Sequence, residues 1–109
     1  MIRIAVVGEI GSGKSYASKL FGFPVFNADK EVIKIYKNDR KAYQIIKKKL
    51  PNHFFSFPIR KEQIARAVNK NTKNLKTISK VIHPLVRKNM KVFLRKNRKK
   101  KAIVLDIPL

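Results

Sequence analysis

The sequence contains no cysteine, which excludes disulfides and thiolate metal sites. No apolar run approaches the roughly 20 residues that a membrane-spanning helix needs. Met1 to Val7 passes straight into glycine-containing sequence, with no apolar signal core followed by a small-residue cleavage site. Acidic residues are scarce: six Asp and Glu stand against 27 Lys and Arg in 109 residues, a net charge of +21. Such a balance suits a polyanionic partner, either nucleic acid or a phosphate-rich small molecule. Arginine is the scarce member of the basic set, at seven residues against 20 lysines. Bidentate reading of bases and phosphates favours arginine's planar fork. The lysines are also scattered through every segment rather than gathered in one block. The charge therefore reads as biased composition that helps to bind anionic substrates, and a nucleic-acid partner is not expected despite it. The 44% of hydrophobic residues are enough for one core, and the expectation is a soluble, cytoplasmic, single-domain protein. No internal repeat or linker is present.

What is present alternates strand and helix. Ile2 to Val7 is a short β-branched run ending at Gly8, the pattern of a buried strand in a parallel sheet. Gly8 to Gly13 reads as a loop, Lys14 to Phe21 as a helix with Ala17, Leu20 and Phe21 on one side, and Gly22 as its stop. Val25-Phe26 is a second short strand, and Asn27-Ala28-Asp29 opens a helix carrying Val32, Ile33, Ile35 and Tyr36. Asp39 can cap the next helix, with Ala42, Tyr43, Ile46 and Leu50 on one face and Pro51 at its end. Phe54, Phe55 and Phe57 lie in a loop; they could meet a ligand, but packing is the simpler reading. A further helix is expected from about Ile59 to Asn69, facing inward through Ile64, Ala65 and Val68. Asn71 and Thr72 start a stretch with Leu75, Ile78 and Ile82, and Pro84 is expected to start or kink the next, with Leu85, Val86, Met90, Phe93 and Leu94. Arg95 to Lys101 is a basic tract, read as solvated surface, before a last apolar strand from Ala102 to Ile107.

Gly8-Glu9-Ile10-Gly11-Ser12-Gly13-Lys14-Ser15 matches G-x-x-x-x-G-K-S. Glycines let backbone amides turn inward around phosphate oxygens, and a helix starting near Lys14 adds its positive dipole end and free N–H groups. The expected nucleotide-binding residues are Gly8, Gly11, Ser12, Gly13, Lys14, Ser15 and Tyr16. Lys14 would reach the β- and γ-phosphates of ATP, and Ser15 would ligate Mg²⁺. The apolar strand before the loop and the amphipathic helix after it are the context such a motif requires.

Three later segments join it in order: Phe26-Asn27-Ala28-Asp29-Lys30, His83-Pro84-Leu85-Val86-Arg87 and Leu105-Asp106-Ile107-Pro108-Leu109. Together with the loop they resemble the dephospho-CoA kinases, which carry G-x-x-G-S-G-K-S, a D-A-D-like segment, H-P-x-x-R and a strand ending D-I-P-L. The resemblance spans the whole chain. It implies an α/β P-loop NTPase fold with a parallel sheet and flanking helices, a helical acceptor-binding insertion at about 29–97, and a single domain over 1–109. It also implies transfer of the ATP γ-phosphoryl group, with Mg²⁺, to the ribose 3′-hydroxyl of dephospho-CoA. Asp29 would then be the general base, or a helix N-cap, or both. Asp106 would face Mg²⁺ as the aspartate ending an apolar strand, or be structural. His83 and Arg87 share a helix face if the helix continues past Pro84; the resemblance puts them near the acceptor, Arg87 on a phosphate, with a hydrogen-bonded His83 at the helix junction as the plainer reading. A metal role for His83 with His53 lacks further ligands.

Two departures stand out. Glu9 puts a carboxylate where the family commonly has glycine, so it must point outward or be neutralised by lysine. The family also continues well past D-I-P-L, with further strands, a lid arginine and the adenine pocket, so the expectation is a fold incomplete at its C-terminus. Two other functions compete. Another small-molecule P-loop kinase, for nucleotides or shikimate, shares the loop and an acceptor aspartate but gives no reason for H-P-x-x-R and D-I-P-L. A basic nucleic-acid-binding module with an incidental loop requires steeply salt-dependent, nucleotide-independent binding.

Overall fold

A computed structural model of the chain describes residues 2–8 and 22–108. The expected helix at 14–21 lies outside them, as does the phosphate loop beyond Gly8. Three strands and four helices are described, in the order β1 (Ile2–Gly8), β2 (Val25–Asn27), α1 (Ala28–Asn38), α2 (Arg40–Lys49), α3 (Lys61–Lys70), α4 (Lys73–Lys96) and β3 (Ala102–Pro108). They divide into two compact units. One is built from residues up to Glu31 together with those from Arg87 onward, the other from Val32–Val86.

The first unit is the sheet. Its strands lie in the order β1-β3-β2, and both pairings are parallel. β3 is therefore central, which explains its apolar run from Ala102 to Leu105: a strand covered on both faces and paired on both edges has no polar side to present. Ala102, Ile103 and Val104 are all buried. Register runs from Ile2 opposite Ala102 to Gly8 opposite Pro108 on one edge, and from Val25 opposite Val104 to Asn27 opposite Asp106 on the other. Backbone bonds from Ile2 N–H to the Lys101 carbonyl (3.0 Å) and from Val104 N–H to the Pro24 carbonyl (2.8 Å) extend the pairing past the strand ends. Phe26 on β2 is buried and meets Phe93 of α4 at a ring-centroid distance of 5.6 Å, tilted by 49°. Gly22, ahead of β2, has φ +69°, a left-handed conformation that a side chain would resist.

The second unit is helical. Asp39 caps α2 as its spacing predicts, Oδ1 accepting from the Ala42 N–H at 2.9 Å. The buried core comprises Ile35, Ala42, Tyr43, Ile46, Phe54, Ile59, Ala67, Ile78 and Ile82. Phe54 is fully enclosed, so the loop between α2 and α3 supplies a core side chain rather than a surface aromatic patch. Phe57 meets Tyr43 at a ring-centroid distance of 5.6 Å, tilted by 56°, and carries the Arg40 guanidinium 4.7 Å from its ring centroid, while Phe55 is exposed.

Three expectations are corrected here. α3 buries Ala67 and Gln63; Ile64 packs against the core as expected, but Ala65 points outward and Val68 is only half-buried. Its small apolar residues occur on two sides, so spacing alone leaves the phase open. Gln63 is admitted because its Nε2 donates to the carbonyl and Oγ of Ser56, each at 3.3 Å. Leu75 is exposed; Ile78 and Ile82 are the buried positions of α4, with Val81, Leu85 and Val86 packed against the same core. Pro84 does not start a helix: α4 is continuous through it for 24 residues. Proline removes a hydrogen bond to the carbonyl four residues back. Both Pro84 and Lys80 are exposed, so water can satisfy that carbonyl while Ile78 and Ile82 hold the inner side.

Candidate active site

Parallel strands that share a direction also share a carboxyl edge, and open α/β sheets bind ligands beyond that edge. Here β1 ends at Gly8, the first residue of the phosphate-loop motif, and Gly8 lies opposite Pro108 on β3. β2 ends at Asn27, opposite Asp106. The topology therefore brings Gly8, Asp106 and the start of α1, with Asp29, to one end of the sheet. These are three of the four segments singled out in the sequence.

Asp106 is 1% exposed. A carboxylate so deep requires hydrogen bonding, and Asn27 Nδ2 donates to Asp106 Oδ2 at 3.0 Å. Further interactions of Asp106 exist besides this one. Asp29 occupies the first turn of α1 together with Glu31, where the helix dipole favours a negative charge. The alternative reading of Asp29 as the cap of this helix is set aside. Asn27 is the cap: its Oδ1 accepts from the Lys30 N–H at 3.0 Å. β2 runs one residue further than the expected Val25-Phe26, and α1 begins at Ala28 directly after it, so Asp29 falls inside the first turn and is released from capping. It is half-buried, and its side chain makes no hydrogen bond or ion pair with another described residue, in a chain with lysine to spare. Glu31, by contrast, is held: its Oε1 accepts from Asn89 Nδ2 of α4 at 2.7 Å.

His83 and Arg87 are both exposed on α4, one helical turn apart, as a continuous helix requires. His83 lies in mid-helix rather than at a junction. It falls in the Val32–Val86 unit, and Arg87 falls in the sheet unit. Neither has a partner among the described residues. Gly11, Ser12, Gly13, Lys14, Ser15 and Tyr16 lie outside the described residues, so their expected contacts stay at the level of sequence. Asn27 and Asn89 are the residues that sequence reasoning missed. An asparagine at a strand–helix junction is a recognisable cap signal; nothing in the sequence marks Asn89.

No group of three or more His, Asp or Glu side chains suited to a metal occurs among the described residues. Mg²⁺ does not need one, since it keeps several waters and takes one or two carboxylates besides substrate phosphates. A hard oxygen donor at the carboxyl edge of the sheet, as Asp106 provides, fits that ion.

The family model for dephospho-CoA kinase matches residues 2–109. The chain belongs to the dephospho-CoA kinase family. Among curated relatives, the dephospho-CoA kinase of Bartonella henselae is 34% identical over 111 residues, covering 97% of this chain and 56% of the relative. That of Agrobacterium fabrum is 33% identical over 114 residues, covering the whole chain and 58% of the relative. The crystal structure of TT1252 from Thermus thermophilus superposes with a TM-score of 0.69 at 25% identity, over 98% of this chain and 56% of that one. This chain thus spans somewhat more than half the length of the family members it matches. No helix among the described residues is long and apolar enough to cross a membrane.

Proposed function

We propose that the protein phosphorylates the ribose 3′-hydroxyl of dephospho-CoA with ATP, giving ADP and coenzyme A, the last step of coenzyme A synthesis. The observation that carries this is the convergence of Gly8, Asp29 and Asp106 at one sheet edge, with Asp29 freed from capping by Asn27.

In this reading Lys14 and the loop amides of Gly11, Ser12 and Gly13 hold the β- and γ-phosphates and neutralise the charge that develops between them. Tyr16, next after Ser15 in the sequence, is assigned to the same nucleotide site. The acceptor hydroxyl attacks the γ-phosphorus; the new O–P bond forms as the bond to the β-phosphate oxygen breaks, and ADP departs with that electron pair. Asp29 accepts the hydroxyl proton, which requires an ionised carboxylate within hydrogen-bond reach of the 3′-oxygen. Mg²⁺, held by Ser15 and Asp106, would supply charge neutralisation between the β- and γ-phosphates. Arg87 and His83 are assigned to the anionic part of the acceptor, and the helical region at about 29–97 to acceptor binding. The lysine excess serves these anionic ligands in the cytoplasm rather than nucleic acid.

The test is ADP release by the protein at its full natural length, with and without dephospho-CoA. Release should require the acceptor. Asp29→Asn should lower kcat by at least about 10²-fold while ATP binding is kept, and Lys14→Ala should weaken ATP binding itself. ADP release indifferent to dephospho-CoA, or an Asp29→Asn variant of ordinary kcat, would sink this reading.

A further inference from the structure

Asn27 has no part in the chemistry above, yet its amide is used at both ends. Nδ2 donates to Asp106 Oδ2 at 3.0 Å, and Oδ1 accepts from the Lys30 N–H at 3.0 Å. The two bonds fix which end is which, because a flipped amide would set oxygen against a carboxylate and NH₂ against an N–H. The residue is also fixed along the chain: it is the last of β2, paired in register with Asp106, and Ala28 after it begins α1.

We propose that Asn27 is a positioning residue, whose single planar amide holds the Asp106 carboxylate and the first turn of α1, and so Asp29, in one fixed relation. The inference rests on the kinase reading above. The geometry makes the residue type specific. Serine would cap α1 as well, but its one short hydroxyl cannot serve Lys30 and Asp106 together. Alanine would lose both bonds. A second amide supports the same turn, since Asn89 of α4 holds Glu31 two residues beyond Asp29. Asn27 thus acts through the two carboxylates and touches neither substrate.

Serine separates this role from plain capping. In the protein at its full natural length, Asn27→Ser should keep the cap of α1, because serine and asparagine are equivalent caps, and should lower Tm only through the lost donor to Asp106, by less than Asn27→Ala does. Its kcat should nevertheless fall about 10- to 100-fold, the usual cost of losing a partner that orients a ligand carboxylate. KM for dephospho-CoA should barely move, nor should ATP affinity measured in EDTA, while affinity for ATP in Mg²⁺ should weaken. Asn27→Ala should lose kcat and, with the cap gone as well, more Tm than the serine variant. A serine variant with parental kcat would reduce Asn27 to a cap and overturn the proposal, as would a kcat loss proportional to lost stability. Two arms do not depend on which acceptor the enzyme uses. The Asn27 side-chain amide protons should exchange slowly by NMR and shift in Asp106→Asn. Fast exchange with no shift would overturn the proposal even with turnover intact. Slow exchange in a protein that ignores dephospho-CoA would leave the bridge standing and fault the substrate assignment instead.

Discussion

Tyr36 shows how one partly buried group ties stability to pH. It is half-buried beside the helical core, and burial pushes its phenol above the ordinary 10.0 because the ionised form loses hydration. Below pH 10.0 the phenol is neutral in the folded and unfolded chain alike, so its contribution is fully present. As pH rises past 10.0 the unfolded chain gives up its proton first, and stability falls until the folded-state pKa is passed. Tyr36→Phe should remove that part of the alkaline decline: in urea unfolding at pH 8 and pH 11, the variant should lose less stability than the parent between the two. Parallel losses would assign the decline to other groups, such as the lysines. Single residues are also where sequence reasoning is at its sharpest and its most fallible. Asp39 is readable as a cap because a short acceptor directly precedes an amphipathic run. Asp29 looks like one and is not, because the boundary between β2 and α1 is set by pairing with β3, and the register that puts Asn27 opposite Asp106 is a long-range fact. Asp106 itself is readable as the aspartate closing an apolar strand, but its amide partner lies 79 residues away.

Among the elements, the segment between α2 and α3 separates core from surface within four residues. Phe54 is 0% exposed and Phe55 63%, although both belong to one aromatic cluster in the sequence. Truncating an enclosed phenylalanine loses its transfer free energy and leaves a cavity. Phe54→Ala should therefore cost about 3–5 kcal/mol, whereas Phe55→Ala should stay within about 0.5 kcal/mol of the parent. Chemical denaturation of the two variants tests this directly, and similar costs for both would contradict the burial described. The existence of each described helix and strand can be read from the sequence, because periods of 3.6 and runs of β-branched residues are local. The phase of α3 cannot, since Ala65 and Ala67 are the same residue type two positions apart and only the packed core distinguishes them. Nor can the passage of α4 through Pro84: a proline's local preference is to break, and it is overridden by apolar contacts on both sides of it and by solvent at the orphaned carbonyl.

For the molecule as a whole, charge outweighs every other compositional feature. A net +21 on 109 residues means that folding gathers like charges and that the compact state works against its own repulsion. The helical unit concentrates the effect, with fourteen Lys and Arg against two Asp and Glu between Val32 and Val86. The bias even overrides helix polarity. α2 has no acidic residue in its first turn, and neither has α4, although that is where a negative charge is favoured. Lys41, exposed in the first turn of α2, therefore meets two unfavourable fields, the summed charge of the chain and the positive end of its own helix. Reversing it should relieve both. Lys41→Glu should stabilise the protein by about 0.5–1 kcal/mol in 0.01 M salt, where the screening length is about 30 Å. At 1 M salt that length shrinks to about 3 Å, and most of the gain should vanish. The parent should meanwhile gain stability as salt is raised, since screening relieves its own repulsion before any specific ion is bound. Thermal unfolding of parent and variant at both salt concentrations decides the matter. A gain that survives 1 M salt would have to come from local helix propensity or packing at position 41. A parent destabilised by salt would mean that attractive pairs, not the excess of lysine, govern its electrostatics.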